Sequence, residues 1–379
     1  MLGVFKLTIQ TDIESLEKGM IIKMKKNFTL YWPSFVDVEL CKDLGIITMI
    51  FSKYLNYNSS ILCNKNQENY DEVTKENITM IYAVDDAIIN NALENTDVLL
   101  LIGYYDFNLR MIERYKSINP KGKIYLKLDL NIHWLRRIVL GQENTDLLNQ
   151  CALISVECKN LKNTLYENWP VKIEYIPNGY YNAGITRNIE YKEKENTIIT
   201  VGRLGTYEKA TEVLLEAFKL ASPNLTNWKL KLIGSIEPYF QAYVYNFIET
   251  NPELKDKIIF TGRINDRELI EEEYKKAKIF CLTSRCEGFP NVFGEAANKG
   301  CYIISSDIDP AWDITDDKKY GSVFPINDHV ALASEMITVC LNEARLETVC
   351  RDIQIYTKEN FEWIKLCEKI ESFLNENNE

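Results

Sequence analysis

Histidine is almost missing from this chain, with His133 and His329 the two examples in 379 residues. That scarcity excludes a zinc site built on several imidazoles. The ten cysteines include no C-x-x-C pair, and several, such as Cys281 and Cys301, lie inside apolar strand-like runs. They read as small buried hydrophobes in a reducing compartment, not as a disulfide framework. No basic segment followed by a long apolar core opens the sequence. The longest apolar run near the start, Leu44 to Phe51, is far too short to span a bilayer. A cytoplasmic protein is expected, able to work at the inner face of the membrane. Surplus positive charge is lacking too, since the formal net charge is −11. No nucleic-acid partner is expected on that balance. Two local clusters, Lys23 with Lys25 and Lys26, and Trp134 with Arg136 and Arg137, are candidates for peripheral contact with an anionic membrane or for a plain solvated face.

What the chain does have is length and apolar content, 379 residues at 46% hydrophobic, enough for two core-bearing domains. The first strand expected is Phe28 to Trp32, closed by Pro33, and apolar residues at helical spacing then predict a helix over Val38 to Leu55. Ile61 to Cys63, Ile78 to Tyr82, Asp97 to Gly103, Lys123 to Leu130 and Ala152 to Val156 follow as strands, with a helix at Asn108 to Lys116. Strands and helices in alternation imply an α/β class with parallel sheets covered on both faces. Polar residues at the end of a strand are ligand candidates in such sheets, which singles out Lys127, Asp129 and His133. A structural role is equally open for each.

The Pro177-Asn178-Gly179 turn ends this half, and a charge-rich stretch from Ala183 to Glu195 marks a boundary. A first domain over 1–185 and a second over 186–360 are expected. In the second half Thr197 to Val201 is a β-branched strand leading into Gly202-Arg203-Leu204-Gly205 and a helix with Val213, Leu214, Ala217 and Phe218 on one face. Leu230 to Gly234 and Ile258 to Gly262 are further strands, the latter followed by Arg263, Ile264 and a helix over Arg267 to Lys276.

Residues 279 to 299 carry the most chemistry. Ile279 to Leu282 is a strand, Glu287 and Gly288 occupy a loop, and a helix is expected to open at about Pro290, where proline is tolerated on the first turn. A helix start above a strand end offers free amides and the positive end of a dipole, a setting suited to phosphate. Gly288 leaves room for the approach. Glu295 lies about 7 Å further along the helix, far enough to reach a ribose beyond the phosphate, while Glu287 meets the group on the other side.

This Glu-Gly-Phe-Pro-Asn-Val-Phe-Gly-Glu-Ala run resembles the E-x7-E signature of glycosyltransferase family 4, retaining enzymes of the GT-B fold, in which two Rossmann-like doubly wound parallel-sheet domains face each other across a cleft. The resemblance implies that Arg203 and Lys209 bind the donor pyrophosphate and Glu287 the sugar hydroxyls. It also implies donor contacts from Gly202, Gly288, Phe289, Pro290, Asn291 and Val292, and a nucleobase bordered by Arg263 and Ile264. Relatives place a histidine or aspartate near Asp129 and His133. No separate cofactor is implied, because the nucleotide diphosphate sugar, UDP-sugar favoured over GDP-sugar, is itself the donor substrate, and the acceptor is a glycan or lipid-linked molecule of polysaccharide biosynthesis. The family's final helix crosses back onto the first domain, here from about Phe361 to 379. Asp307-Ile308-Asp309 has the look of a metal-binding D-x-D, but a GT-B site neutralises diphosphate with cations and a helix terminus, so no metal is expected. Asp313 is read as a helix cap. One departure is the first loop, Trp32-Pro33-Ser34-Phe35, where many members carry glycines. A non-catalytic GT-B subunit and a sugar-nucleotide epimerase are the competing readings.

Overall fold

The computed structural model describes residues 25–65, 69–182 and 187–376. Lys23 and the opening of the expected boundary at Ala183 lie outside the described residues. Seven strands, β1 (Asn27–Tyr31), β2 (Asn58–Cys63), β3 (Ile78–Tyr82), β4 (Val98–Ile102), β5 (Lys123–Lys127), β6 (Leu153–Val156) and β7 (Glu174–Tyr175), form one sheet in the order β3-β2-β1-β4-β5-β6-β7. Six more, β8 (Glu195–Val201), β9 (Lys229–Ile233), β10 (Ile258–Gly262), β11 (Ala277–Leu282), β12 (Tyr302–Ser306) and β13 (Gly321–Phe324), form a second in the order β10-β9-β8-β11-β12-β13. Every pairing within both sheets is parallel.

The strand sequences explain this. Val98-Leu99-Leu100-Leu101-Ile102 has no polar residue and is buried at every position, and β11 is buried along its whole length. A strand so enclosed needs cover on both faces, which parallel strands with crossover helices provide. In each sheet the order reverses once, between β1 and β4 and between β8 and β11. Ligands in open α/β sheets bind beyond the carboxyl ends at such reversals.

The helix expected over Val38 to Leu55 is in fact a 3-10 turn, Asp37–Cys41, and a separate helix, Asp43–Lys53, parted by an extended Lys42. Glu39 is the cause. Its buried carboxylate accepts from the Val36 amide at 3.1 Å and the Trp32 indole at 3.2 Å, closing its own turn before the helix begins. Pro290 is the N-cap and not the first helical residue, so the helix runs Asn291–Asn298.

The last helix, Trp363–Glu376, lies against the first sheet. Trp363, Leu366, Cys367, Ile370 and Leu374 share one apolar cluster with Phe28, Ile47, Phe51 and Tyr125. Its entry is fixed by backbone bonds in both directions between Tyr180 and the Phe361 to Trp363 stretch, at 2.8 and 3.0 Å. A Cβ on Gly179 would meet the Phe361 carbonyl oxygen at 2.3 Å, which only a backbone shift relieves. Gly179→Ala is therefore expected to lower the thermal midpoint by several degrees, while Gly141→Ala, a helix N-cap with nothing within 4 Å, lowers it less. Circular-dichroism melts of the two variants check this.

Candidate active site

The loops beyond β8 and β11 are tied together residue by residue. Gly202 and Gly234, at φ +156 and +148, allow a contact in which a Cβ on Gly234 would lie 1.7 Å from the Gly202 carbonyl. Thr283 donates its hydroxyl to the carbonyls of Lys209 at 2.9 Å and Ala210 at 3.1 Å, and the Arg285 amide donates to the Glu208 carbonyl at 2.7 Å. The Arg285 guanidinium pairs with Glu212 at 2.6 Å and lies 4.4 Å from the Tyr207 ring centre. This bracing sets the Lys209 ammonium 2.5 Å from Glu287 Oε1, an oxygen that also accepts from Ser284 Oγ at 2.6 Å. The Lys209 stem passes over Gly202, whose added Cβ would be 3.7 Å from Lys209 Cε. Arg203 is exposed on the same loop and makes no hydrogen bond or ion pair among the described residues.

Gly288 is where the two halves approach. A Cβ there would lie 3.7 Å from Asp129 Oδ1 and 3.6 Å from the Leu130 carbonyl. The Gly288 carbonyl accepts from Cys158 Sγ at 3.3 Å and the Phe289 carbonyl from Asn178 Nδ2 at 2.9 Å. Phe289 itself is buried, its ring centre 5.6 Å from that of Phe361 and 6.4 Å from that of Phe293. Its side chain is a packing group, so a donor contact from Phe289 would come from its backbone amide. Pro290 is buried behind it, whereas Asn291 and Val292 are half-buried at the helix start, with Asn291 Oδ1 lacking a hydrogen-bond partner among the described residues.

Further along this helix Glu295 enters a cleft of about 230 Å³ that Val201, Arg263, Ile264, Tyr181 and Arg267 also line. Tyr274 donates its phenol to Glu295 Oε2 at 3.2 Å. Burial pushes the Glu295 carboxyl upward, against the pull of the Arg267 charge and the Tyr274 hydrogen bond. Val201, in the lining of this cleft, directly precedes Gly202, over which the Lys209 stem passes.

On the facing half Asp129 stands just past β5 with its side chain 44% exposed. His133 is exposed on the short Ile132–Leu135 helix, which Asn131 caps through its side-chain oxygen at 3.0 Å from two amides, and its ring makes no hydrogen bond among the described residues. Trp134 beside it is 59% exposed, with Arg137 over its ring at 5.4 Å. Asp307 and Asp309 are engaged elsewhere, accepting from the Trp312 indole at 2.8 Å and from Asn160 Nδ2 at 2.7 Å. Asp313 does not cap its own helix, Asp309–Thr315, but accepts from the Lys159 amide at 2.9 Å at the head of the Lys159–Asn168 helix in the other half. The position in sequence gave no sign of that partner, because it lies 154 residues away.

The sequence model of the family described as Glycosyl transferases group 1 matches residues 185–377, half of the chain. The chain belongs to that family. It is 32% identical over 190 residues to the Campylobacter jejuni enzyme named GalNAc-alpha-(1->4)-GalNAc-alpha-(1->3)-diNAcBac-PP-undecaprenol alpha-1,4-N-acetyl-D-galactosaminyltransferase, covering 48% of this chain and 50% of that one. It is 29% identical over 143 residues to the Staphylococcus aureus capsular polysaccharide biosynthesis glycosyltransferase CapH, covering 37% and 38% respectively. The chain thus spans half the length of these relatives or less. Among solved structures, a glycosyltransferase from Rickettsia africae aligns with TM-score 0.72 and 18% identity over 94% of this chain and 100% of its own. Anabaena HepE in complex with UDP aligns with TM-score 0.70 and 14% identity over 93% and 100%. With the two parallel sheets, these likenesses establish the GT-B fold.

The family match takes in Lys209, Glu287, Gly288 and Glu295 and leaves Asp129 outside it. It also takes in Asp313, whose carboxyl burial pushes up to about 6, against the Lys159 amide, the Lys159 charge and the Tyr175 phenol. Because the folded-state value lies above the ordinary 3.8, the stability from this group is complete at low pH and lost as pH rises through about 6. Asp313→Asn keeps an acceptor for the Lys159 amide without the charge. Its melting temperature relative to wild type is expected to rise between pH 4 and pH 7, and paired melts across that range check the sign.

Proposed function

We propose that this chain is a retaining glycosyltransferase of the family 4 type, moving a sugar from a nucleotide diphosphate sugar to a glycan or lipid-linked acceptor without a metal. The observation that carries the reading is the Lys209–Glu287 pair beside Gly288, facing Asp129 across the cleft. As the bond from the anomeric carbon to phosphate breaks, negative charge grows on the diphosphate and the sugar takes on oxocarbenium character. Lys209, Arg203 and the amides at the start of the Asn291–Asn298 helix are the groups suited to the first charge. Glu287, with Oε1 already committed to Lys209 and Ser284, has Oε2 for a sugar hydroxyl. The acceptor oxygen forms the new bond on the same face, and its proton passes to the departing diphosphate oxygen. Glu295, with Arg263 and Ile264 in the same cleft, suits a ribose and base.

A UDP-sugar is the favoured donor, in line with the UDP in the HepE complex. A lipid-linked acceptor accords with the undecaprenol in the Campylobacter enzyme's name, and the exposed Trp134, Arg136 and Arg137 suit a peripheral contact at the inner membrane face. No helix among the described residues is long and apolar enough to cross a membrane.

The test is incubation with a panel of nucleotide sugars while following diphosphate release and product configuration. A non-catalytic binder releases none, and an epimerase yields an isomer of the donor. Lys209→Ala is expected to cut turnover about 10²- to 10³-fold; a near-normal rate would remove the lysine from the chemistry. Glu295→Ala is expected to weaken nucleotide diphosphate binding measured by calorimetry, with the turnover of saturated enzyme less affected. Activity in EDTA should match that in buffer, and a loss would return Asp307 and Asp309 to consideration as metal ligands.

A further inference from the structure

A buried charge cluster behind Asp129 is not used by the reading above. Lys127, at the end of β5, is completely buried, and its ammonium lies 2.7 Å from Asp43 Oδ2, 2.8 Å from Glu157 Oε1 and 3.6 Å from Asp129 Oδ1. The carboxylates come from three elements. Asp43 opens the Asp43–Lys53 helix, Glu157 follows β6 and Asp129 follows β5. Glu157 is also completely buried, and its Oε2 has no hydrogen-bond donor among the described residues.

One ammonium facing three carboxylates leaves two excess negative charges when all are ionised. No solvent reaches Lys127 or Glu157 to screen them, so the cluster favours keeping a proton. Burial pushes the Glu157 carboxyl up to about 7 against the pull of Lys127. Lys127 pulls Asp129 down, but burial and the Asp43 charge outweigh it and the net direction is upward. The other groups acting here are Lys42, whose charge bears on Asp129, and Tyr125, which bears on Lys127.

The cluster also holds backbone. Asp129 sits in the left-handed region at φ +47, an uncommon conformation for a residue with a Cβ. Its amide donates to Glu157 Oε1 at 3.2 Å, the same oxygen that pairs with Lys127. The strained residue is the one member of the cluster whose carboxylate reaches the cleft and comes near Gly288. Beyond it stands an aromatic wall, Tyr105 stacked on Phe107 at 5.3 Å with Trp32 6.5 Å from Tyr105, at the β1/β4 reversal. The Asp129 charge acts on the Tyr105 phenol, so the wall and the carboxylate are neighbours. Aromatic faces beside a fixed carboxylate are the chemistry that recognises a sugar ring and its hydroxyls.

We propose that Asp43, Lys127 and Glu157 are positioning residues that hold Asp129 in its left-handed conformation so that its carboxylate receives a sugar hydroxyl in the cleft. This rests on the transferase reading, and the hydroxyl comes either from the donor sugar or from the acceptor. The experiment is a double-mutant cycle of Glu157→Gln and Asp129→Asn in the full chain, reading kcat/KM for transfer, acceptor-free donor hydrolysis, nucleotide diphosphate affinity and the pH profile.

Each single variant is expected to lose about 10- to 100-fold in kcat/KM with nucleotide affinity within about twofold. In the Asp129→Asn background Glu157→Gln costs little more, because it acts through Asp129. A limb in the pH profile set by the Glu157 carboxyl is expected in the wild type and is expected to be absent in Glu157→Gln. Loss shared by transfer and hydrolysis identifies a donor hydroxyl, and loss confined to transfer identifies an acceptor hydroxyl. Additive losses, or an unmoved pH profile, overturn the positioning role. If Glu157→Gln does not fold, Asp43→Asn takes its place in the same cycle. A wild-type protein that binds no nucleotide diphosphate overturns the transferase reading and this inference with it, whereas normal binding and turnover with additive losses overturns this inference alone.

Discussion

The Lys209–Glu287 pair is the contact on which the rest of the cleft depends. Its side chains are 23% and 17% exposed, so neither charge is fully solvated and each is costly to leave alone. The pair spans the loops after β8 and β11, the two strands at the reversal of the second sheet. Opposite charges 2.5 Å apart compensate each other. An anion placed beside Lys209 would share the ammonium with Glu287 Oε1. A lysine suits this sharing better than an arginine would, because its three donors rotate about one point and do not lock into a single bidentate geometry.

The bracing around the pair shows why the site needs more than its charged groups. Ala210 is held at φ +47, an uncommon conformation for a residue with a Cβ, and the carbonyls on both sides of it are fixed by one threonine hydroxyl, that of Thr283. Arg285 does the same for Glu208 and Glu212. Thr283 and Arg285 follow β11 directly, so the strand that presents Glu287 also fixes the loop that presents Lys209. Rigidity of this kind is what electrostatic preorganisation requires.

The second half was more legible in the sequence than the first, for a physical reason. Its site groups fall within single strand–loop–helix units, where local patterns such as Gly202-Arg203 after a β-branched strand or Gly288 before a helix already imply positions relative to the sheet edge. The Lys127 cluster draws on residues 43, 127, 129 and 157, none of which is unusual in its own neighbourhood. The pairing of β5 with β6 sets Lys127 and Asp129 beside Glu157 and the Asp43–Lys53 helix adds Asp43, and no spacing in the sequence encodes that. Glu39 went unread because a glutamate at the start of a helical pattern looks like a helix former, and Asp313 was read as a helix cap without its partner because the amide it accepts from belongs to the other half.

Peptide geometry links the docking of the two halves to the electrostatics of the cleft. In a planar trans peptide the carbonyl and the following N–H point in opposite directions. The Gly288 carbonyl is turned toward Cys158, so the Phe289 amide is turned away from that contact. The Phe289 carbonyl is turned toward Asn178, and the next nitrogen belongs to Pro290, which has no N–H to direct anywhere. The first helical amides, at Asn291 and Val292, then precede any intrahelical partner. A first-half residue thereby sets the direction of one donor, the Phe289 amide, in a turn that belongs to the second half, and proline at the cap removes the donor that would otherwise have been aimed away from Asn178. Docking and donor orientation are the same constraint, since moving the turn off Cys158 would rotate the peptide whose other end carries the Phe289 amide.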